Sequence, residues 1–342
     1  LATLGVEGKT FVHDLAETST IHLHAVHEMD GDFLIEDIHG DLTYVDGDTL
    51  NVRWEFYGLD EPFVEAPSAT PTAIIGISDD KMHVITRDNG VPSPAPRWVD
   101  VIPSAAPVAT DSTMYVATYP TPSGNKTVYA ISLGSGYKGW GERTRGDVVS
   151  NLAKGGPNGG DTFYFATTTG AIYAYPTHLA SNRDPAIAWQ ANAAAPVRLD
   201  LTVDGEDLGV VADDGRLICY DRITGNVRWE VSPEAGQRPE SAAQFSDNHA
   251  FYRRGGALYA FDRTNGAELW SVEGGRQFVA QRGDRMLFTV DGDVVVSIDA
   301  ETGERKGCAY MPHVTFPPQR TADGTVTAIT DKGLLVSVEL GW

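Results

Sequence analysis

The sequence predicts an all-β fold, an eight-bladed β-propeller of four-stranded antiparallel blades, on three observations. A short signature recurs, tryptophans return at a near-constant interval, and two series of turns run in phase. The signature is a turn, an alternating apolar strand ending in an acid, then a glycine and a tryptophan. Its clearest copies are DDGRLICYDRITGNVRW, from Asp213 to Trp229, and RGGALYAFDRTNGAELW, from Arg254 to Trp270. A third, from Val290 to Gly307, keeps the frame but has Gly307 where the others have Trp229 and Trp270. A period of about 40 residues built from short strands marks units that cannot bury an apolar face alone and must stack on their neighbours.

Each element follows from local patterning. In LICYD, Leu217 and Cys219 face one way while Ile218 and Tyr220 face the other, as the two-residue period of a strand requires. The preceding Asp-Asp-Gly supplies the positive φ angles of a tight hairpin. The same hairpin and strand return at 39–46, 79–87, 124–132, 168–176 and 331–339, which with the three clear copies makes eight repeats. A second turn precedes each hairpin by about ten residues (MDGDF, TDSTM, GGDTF, DGEDL, SDNHA, RGDRM and ADGTV), with only TPTAI at that point in the second repeat. Two turn series in phase imply three strands per repeat, and the tryptophan segment supplies the fourth.

The tryptophans set the register. Trp54, Trp98, Trp140, Trp189, Trp229 and Trp270 are spaced at 44, 42, 49, 40 and 41 residues. In repeats one, three, five and six the tryptophan lies eight positions after the residue closing the third strand, namely Asp46, Ser132, Asp221 and Asp262. Repeat two has three extra residues and carries Pro92, Pro94 and Pro96; repeat four has a longer insertion in THLASNRDPAIAW. Both read as surface excursions, at 88–96 and 177–185, of the kind a fold tolerates at small cost. The chain ends too early for an outer strand in the last repeat, whereas KTFVHDL, 9–15, is a spare strand at the start. Residues 9–15 are therefore expected to complete blade eight and close the ring, with Phe11 in a tryptophan-like position. The blades then span 20–58, 68–100, 105–143, 147–191, 197–231, 240–273, 277–310 and 314–342, in a single domain of 1–342.

Composition bounds the partners. The net charge is −21, from 30 Asp and 17 Glu against 19 Arg and 7 Lys. Such a surface repels phosphate backbones and anionic lipids, so nucleic acid is not an expected partner. No run of 18 apolar residues is present, so direct membrane insertion is not expected either. Leu1 is not an initiator and LATLGVEG lacks a basic start and apolar run. A natural N-terminus upstream, with a removed signal or lipid anchor, is compatible with that. Cys219 and Cys308 fall on strands of different rank in repeats five and seven, too far apart for a disulfide.

The pattern Asp221–Thr224–Gly225–Trp229, echoed in Asp262–Gly266–Trp270 and half kept in Asp299–Thr302–Gly303, resembles the repeat of the PQQ-like β-propeller superfamily. The resemblance implies a ring in which each outer-strand tryptophan docks onto the neighbouring blade. Quinoprotein dehydrogenases of that superfamily carry an adjacent cysteine pair and are far longer; this chain has no adjacent cysteines. The resemblance is therefore to the non-catalytic, BamB-like branch, and pyrroloquinoline quinone is not an expected cofactor. The repeat is specific for fold rather than for chemistry.

Candidate sites are few. His22 and His24 share one face of an inner strand and would hold a metal only with a third ligand from another blade; a polar channel lining is the plainer reading. The turns Asp30-Gly31-Asp32, Asp46-Gly47-Asp48 and Asp291-Gly292-Asp293 allow weak calcium binding, but they lack the further oxygens of a calcium loop and sit where turns require Asp and Gly. SGNKT at 123–127 lacks the first glycine of a phosphate loop, and no G-x-S-x-G, H-E-x-x-H or C-x-x-C occurs. The favoured expectation is a non-enzymatic extracytoplasmic scaffold or protein-interaction module, with a protein partner held by the loop faces or the excursions of blades two and four. The alternative is a ligand-binding or enzymatic propeller, quinone-dependent or carbohydrate-acting, that uses the central channel.

Overall fold

The computed structural model describes residues 10–14, 23–92, 97–119, 127–155, 162–177, 186–233, 237–291, 293–310, 314–315, 325–330 and 334–339. Among them the regular structure is entirely strand and turn. Two compact units divide the chain, one from residues 1–62, 256–261 and 268–342, the other from 63–255 and 262–267.

The second unit contains four complete four-stranded meanders. The first of these is Ser68–Ala69, Ala73–Ser78, Lys81–Thr86 and Arg97–Trp98, and the next Val108–Ala109, Thr113–Ala117, Val128–Ser132 and Lys138–Glu142. Ala153–Lys154, Thr162–Ala166, Ala171–Pro176 and Trp189–Asn192 make the third. Thr202–Asp204, Asp207–Val211, Leu217–Asp221 and Val227–Val231 make the fourth, and the pair Gln244–Phe245 and His249–Arg254 follows. Each strand pairs antiparallel with the next, which is what a chain of short hairpin loops imposes.

Burial explains the strand composition. All five residues of Thr113–Ala117 and of Asp207–Val211 are buried, because these second strands are covered on both faces. The outer strand Val227–Val231 buries only Trp229. Rings dominate the packing between the second and third meanders of this unit. Tyr115 stacks on Phe163 at 4.3 Å, Phe165 on Tyr173 at 4.9 Å, and the Tyr115 hydroxyl donates to the Thr177 carbonyl at 2.8 Å. The space between the third and fourth is filled by Tyr164 and Tyr220 together with small and branched side chains, among them Ala166, Ala174, Val197 and Val210.

The first unit contains three complete meanders. Leu23–Met29, Asp32–Asp37, Leu42–Val45 and Val52–Phe56 form one, and Gly275–Arg282, Arg285–Val290, Val294–Asp299 and Arg305–Tyr310 another. In the third, Thr10–Asp14 lies beside Leu334–Glu339, followed by Thr325–Thr330 and Val314–Thr315, so strands from both ends of the chain share one sheet. Thr10 lies opposite Val338 and Asp14 opposite Leu334. Ala257–Asp262 pairs with Glu268–Glu273 in the same unit. The structure is thus all-β, with seven four-stranded antiparallel sheets contained wholly in one unit or the other among the described residues. Residues 93–96 and 178–185 of the two excursions, and the side chain of Phe11, lie outside what is described.

Candidate functional site

The repeated signature builds one device several times. Asp221 closes its strand, and its Oδ1 accepts from the backbone N–H groups of Ile223 at 3.1 Å and Thr224 at 2.8 Å and from the Thr224 hydroxyl at 3.0 Å. Gly225 N–H returns to the Asp221 carbonyl at 2.8 Å, with φ at +72°. Asp46 with Thr49 and Asp299 with Thr302 repeat the same bonds. An aspartate at the start of such a turn satisfies orphan donors that the strand cannot.

The turn glycine then receives the tryptophan of the preceding repeat. A Cβ on Gly225 would lie 2.6 Å from the Trp189 ring, one on Gly266 2.7 Å from Trp229, and one on Gly303 2.6 Å from Trp270. The indole N–H groups donate to the residue after each aspartate: Trp189 to the Arg222 carbonyl at 2.8 Å, Trp229 to Arg263 at 2.7 Å, and Trp270 to Ala300 at 3.0 Å. Glycine is required here twice over, for its positive φ and for the absent side chain. Trp140 packs on Tyr175 at 4.9 Å, and Trp54 stacks on Tyr44 at 5.0 Å.

Trp98 departs from this pattern. It is 67% exposed, with the Lys81 ammonium 5.0 Å above its ring. Strand register gives the reason. Trp54, Trp189, Trp229 and Trp270 stand opposite Tyr44, Ala174, Cys219 and Ala260, each two residues before the residue that closes the third strand, namely Asp46, Pro176, Asp221 and Asp262. Trp98 stands opposite Lys81, five residues before Thr86, whose carbonyl accepts the Gly90 N–H. The displacement is three residues, and an odd displacement turns a side chain to the other face. Arg97, opposite Met82, takes the inward place, with its Cβ 3.3 Å from where a Cβ on Gly136 would be.

The outcome is an aromatic and cationic rim in the second unit. Gly136 lies beside the Trp98 backbone, so Tyr137, 68% exposed, follows directly from that contact. Lys138 donates to the Asp100 carbonyl at 3.2 Å and lies 5.8 Å from the Tyr129 ring. Ile102 is 63% exposed. Tyr137, Lys81 and Lys138 were not singled out from the sequence. The three-residue insertion was the available signal, because an odd insertion reverses the facing of whatever follows it.

The remaining candidates resolve as follows. His24 is exposed on Leu23–Met29, whereas His22 lies outside the described residues. The neighbouring His27 Nε2 lies 3.2 Å from the buried Glu36 carboxylate. Among the described residues no three His, Cys, Asp or Glu side chains gather as a metal site would need. The acidic turns hold arginine: Arg53 Nε donates to Asp46 at 3.0 Å and its Nη1 lies 3.2 Å from Asp32. Arg53 and the Thr49 bonds hold the Asp46 carboxyl down at about 2, and Arg228 with Thr224 does the same for Asp221. Asp291 accepts from Arg276 Nε at 2.6 Å. Cys219 is fully buried and its thiol is pushed up by burial, which makes it unreactive, whereas Cys308 is exposed; neither is in a disulfide.

Comparison with known proteins agrees with the repeat architecture. The sequence profile of a family described as outer membrane protein assembly factor BamB matches residues 124–272 and, overlapping, 254–306, together more than half of the chain. No curated protein matches in sequence. Among solved structures, BamB from Moraxella catarrhalis is similar at 14% identity and a TM-score of 0.70, over 97% of each chain. The computationally designed Ika8 protein is similar at 13% identity and 0.67, over 98% of each. Apo AztD from Citrobacter koseri follows at 14% and 0.62, over 85% of this chain and 86% of that one. At those identities the structures speak for the fold, a β-propeller. The profile match, together with the aspartate–glycine turns and docked tryptophans that repeat along the chain, places it in the BamB-like branch of the PQQ-like propellers: the chain belongs to the family described as outer membrane protein assembly factor BamB.

Proposed function

We propose that this chain is a non-enzymatic, extracytoplasmic protein-interaction module. It is an eight-bladed ring completed by its N-terminal strand, and it holds a protein partner on the rim around Trp98. The carrying observation is that one repeat tryptophan has been turned out of its structural place to 67% exposure, beside Tyr137 at 68%. A single exposed apolar side chain needs no explanation, but two adjacent large aromatics flanked by two of the chain's seven lysines are unusual on so acidic a surface. Tryptophan and tyrosine are the side chains that dominate binding energy at protein interfaces. The extracytoplasmic placement rests on the family description, and the ring on the seven sheets, the two further strand pairs and the pairing of Thr10–Asp14 with Leu334–Glu339. This reading assigns no resident cofactor, and it leaves only adventitious calcium at the acidic turns.

A photo-reactive side chain placed at 98 or 137 in the native host tests it. One discrete protein adduct is expected from both positions and none from position 223, where Ile223 is 64% exposed elsewhere in the same unit. Adducts of equal yield at all three positions would remove the rim from the account. Substrate turnover that is lost on changing His24, with the fold intact, would overturn the non-enzymatic reading in favour of the channel.

A further inference from the structure

A cleft of about 570 Å³ opens in the second unit between the end of Lys138–Glu142 and the outer half of the next sheet. Strand alternation builds its floor. Ala171 lies opposite Asn192 and Tyr173 opposite Gln190, so these four side chains point to one face. Ala171 is the small member between the longer side chains, and it leaves the hollow. Arg143 and Arg145, two residues apart just beyond Lys138–Glu142, form the wall.

The wall is pinned rather than loose. Thr169 donates to the Arg145 carbonyl at 2.6 Å, and the Asp147 N–H donates to Thr168 at 3.0 Å. Gly146 turns at a φ of +84°, with the space of a Cβ taken up 2.8 Å from Thr169 Cγ2. Glu142, the one carboxylate among the described residues that line the cleft, accepts the Tyr175 hydroxyl at 2.9 Å. Both arginine side chains are exposed, and among the described residues neither guanidinium has a hydrogen bond or a carboxylate partner. On a chain of net charge −21, other arginines such as Arg53, Arg216, Arg228 and Arg263 are each engaged by acids.

We infer that this cleft binds a carboxylated sugar. Arg143 and Arg145 take the carboxylate and Gln190 and Asn192 take the hydroxyls, over a floor formed by the buried Ala171 and Tyr173. Guanidinium groups match a carboxylate in fork geometry, and side-chain amides offer both donors and acceptors, as vicinal hydroxyls require. The volume is that of a small-ligand site. The shared chemistry, a carboxylate with adjacent hydroxyls, comes either from a free hexuronate or from a uronic-acid oligosaccharide.

Calorimetry on the full chain tests this with galacturonate, its linear trimer, glucose and acetate. Saturable galacturonate binding at one site is expected, with glucose and acetate each weaker by roughly tenfold or more. Arg143→Gln and Arg145→Gln should each weaken galacturonate by a similar factor while the melting temperature stays put, since both side chains are exposed. Gln190→Ala should weaken galacturonate and leave acetate unchanged. A tighter trimer assigns the source to the oligosaccharide, and equal affinity assigns it to the free acid. Glucose or acetate binding as tightly as galacturonate, wild-type affinity in R143Q/R145Q, or no saturation at tens of millimolar overturns the inference.

Discussion

Substituting Gly266 by alanine probes the tryptophan dock whose indole hydrogen bond is the shortest of the three. The new methyl would stand 2.7 Å from Trp229 Cε3 and 3.0 Å from Cδ2, at a backbone φ of +73°. The backbone part costs about 1 kcal/mol, since a residue with a Cβ is disfavoured in the left-handed region. The steric part adds about 1–3 kcal/mol, because an indole held by its N–H at 2.7 Å from the Arg263 carbonyl cannot retreat without breaking that bond. Gly283→Ala isolates the first part, as it has a φ of +58° and nothing within 4 Å of the added carbon. Urea unfolding should therefore place Gly266→Ala below Gly283→Ala by about 1–3 kcal/mol. In a Trp229→Ala background the excess should vanish, because the atom that clashes is gone. Equal losses at the two glycines, or an excess that survives without the indole, would refute the dock as the reason for the glycine.

The other expectations concern the same parts. Trp229→Ala should cost about 3–5 kcal/mol of folding stability, whereas Trp98→Ala should stay within about 0.5 kcal/mol; paired melts of the two variants check this. Asp46 and Asp221 have folded values near 2, below the ordinary 3.8. Their contribution is therefore complete above the ordinary value and is lost as pH falls through it towards 2. Asp221→Asn should lower the melting temperature at pH 7 by the equivalent of about 1 kcal/mol, after discounting for a side chain a quarter exposed, and should match the parent near pH 2. Deleting residues 1–16 should uncover the edge of Leu334–Glu339, lower the melting temperature and promote aggregation seen by light scattering.

The parts of the molecule legible in the sequence were those whose chemistry is local. Asp221, Thr224 and Gly225 lie within five residues and make their bonds within five residues, so the turn announces itself each time it recurs. The strand alternation of LICYD is equally local, and all but its final aspartate is buried. Trp98 shows where this kind of reading stops. Its sequence spacing fits the series, yet spacing does not carry parity, and three additional residues reverse its facing. The pinned arginines were less legible still. Arg145 gains its meaning from Thr169, and the cleft from Ala171 and Asn192, which strand pairing brings together from separate strands. No motif in the chain order records that meeting.

One rim tryptophan contrasts with its structural counterparts, and hydrogen exchange of the indole N–H groups in the folded protein measures that contrast directly. With tryptophans assigned by single substitution, the Nε1 protons of Trp189, Trp229 and Trp270 should exchange slowly, each being bonded to a backbone carbonyl. Trp98 should exchange at close to the rate of a free indole, as a side chain 67% exposed must. Protection of Trp98 equal to that of the other three would contradict both the reversed register and the rim as a place for a partner.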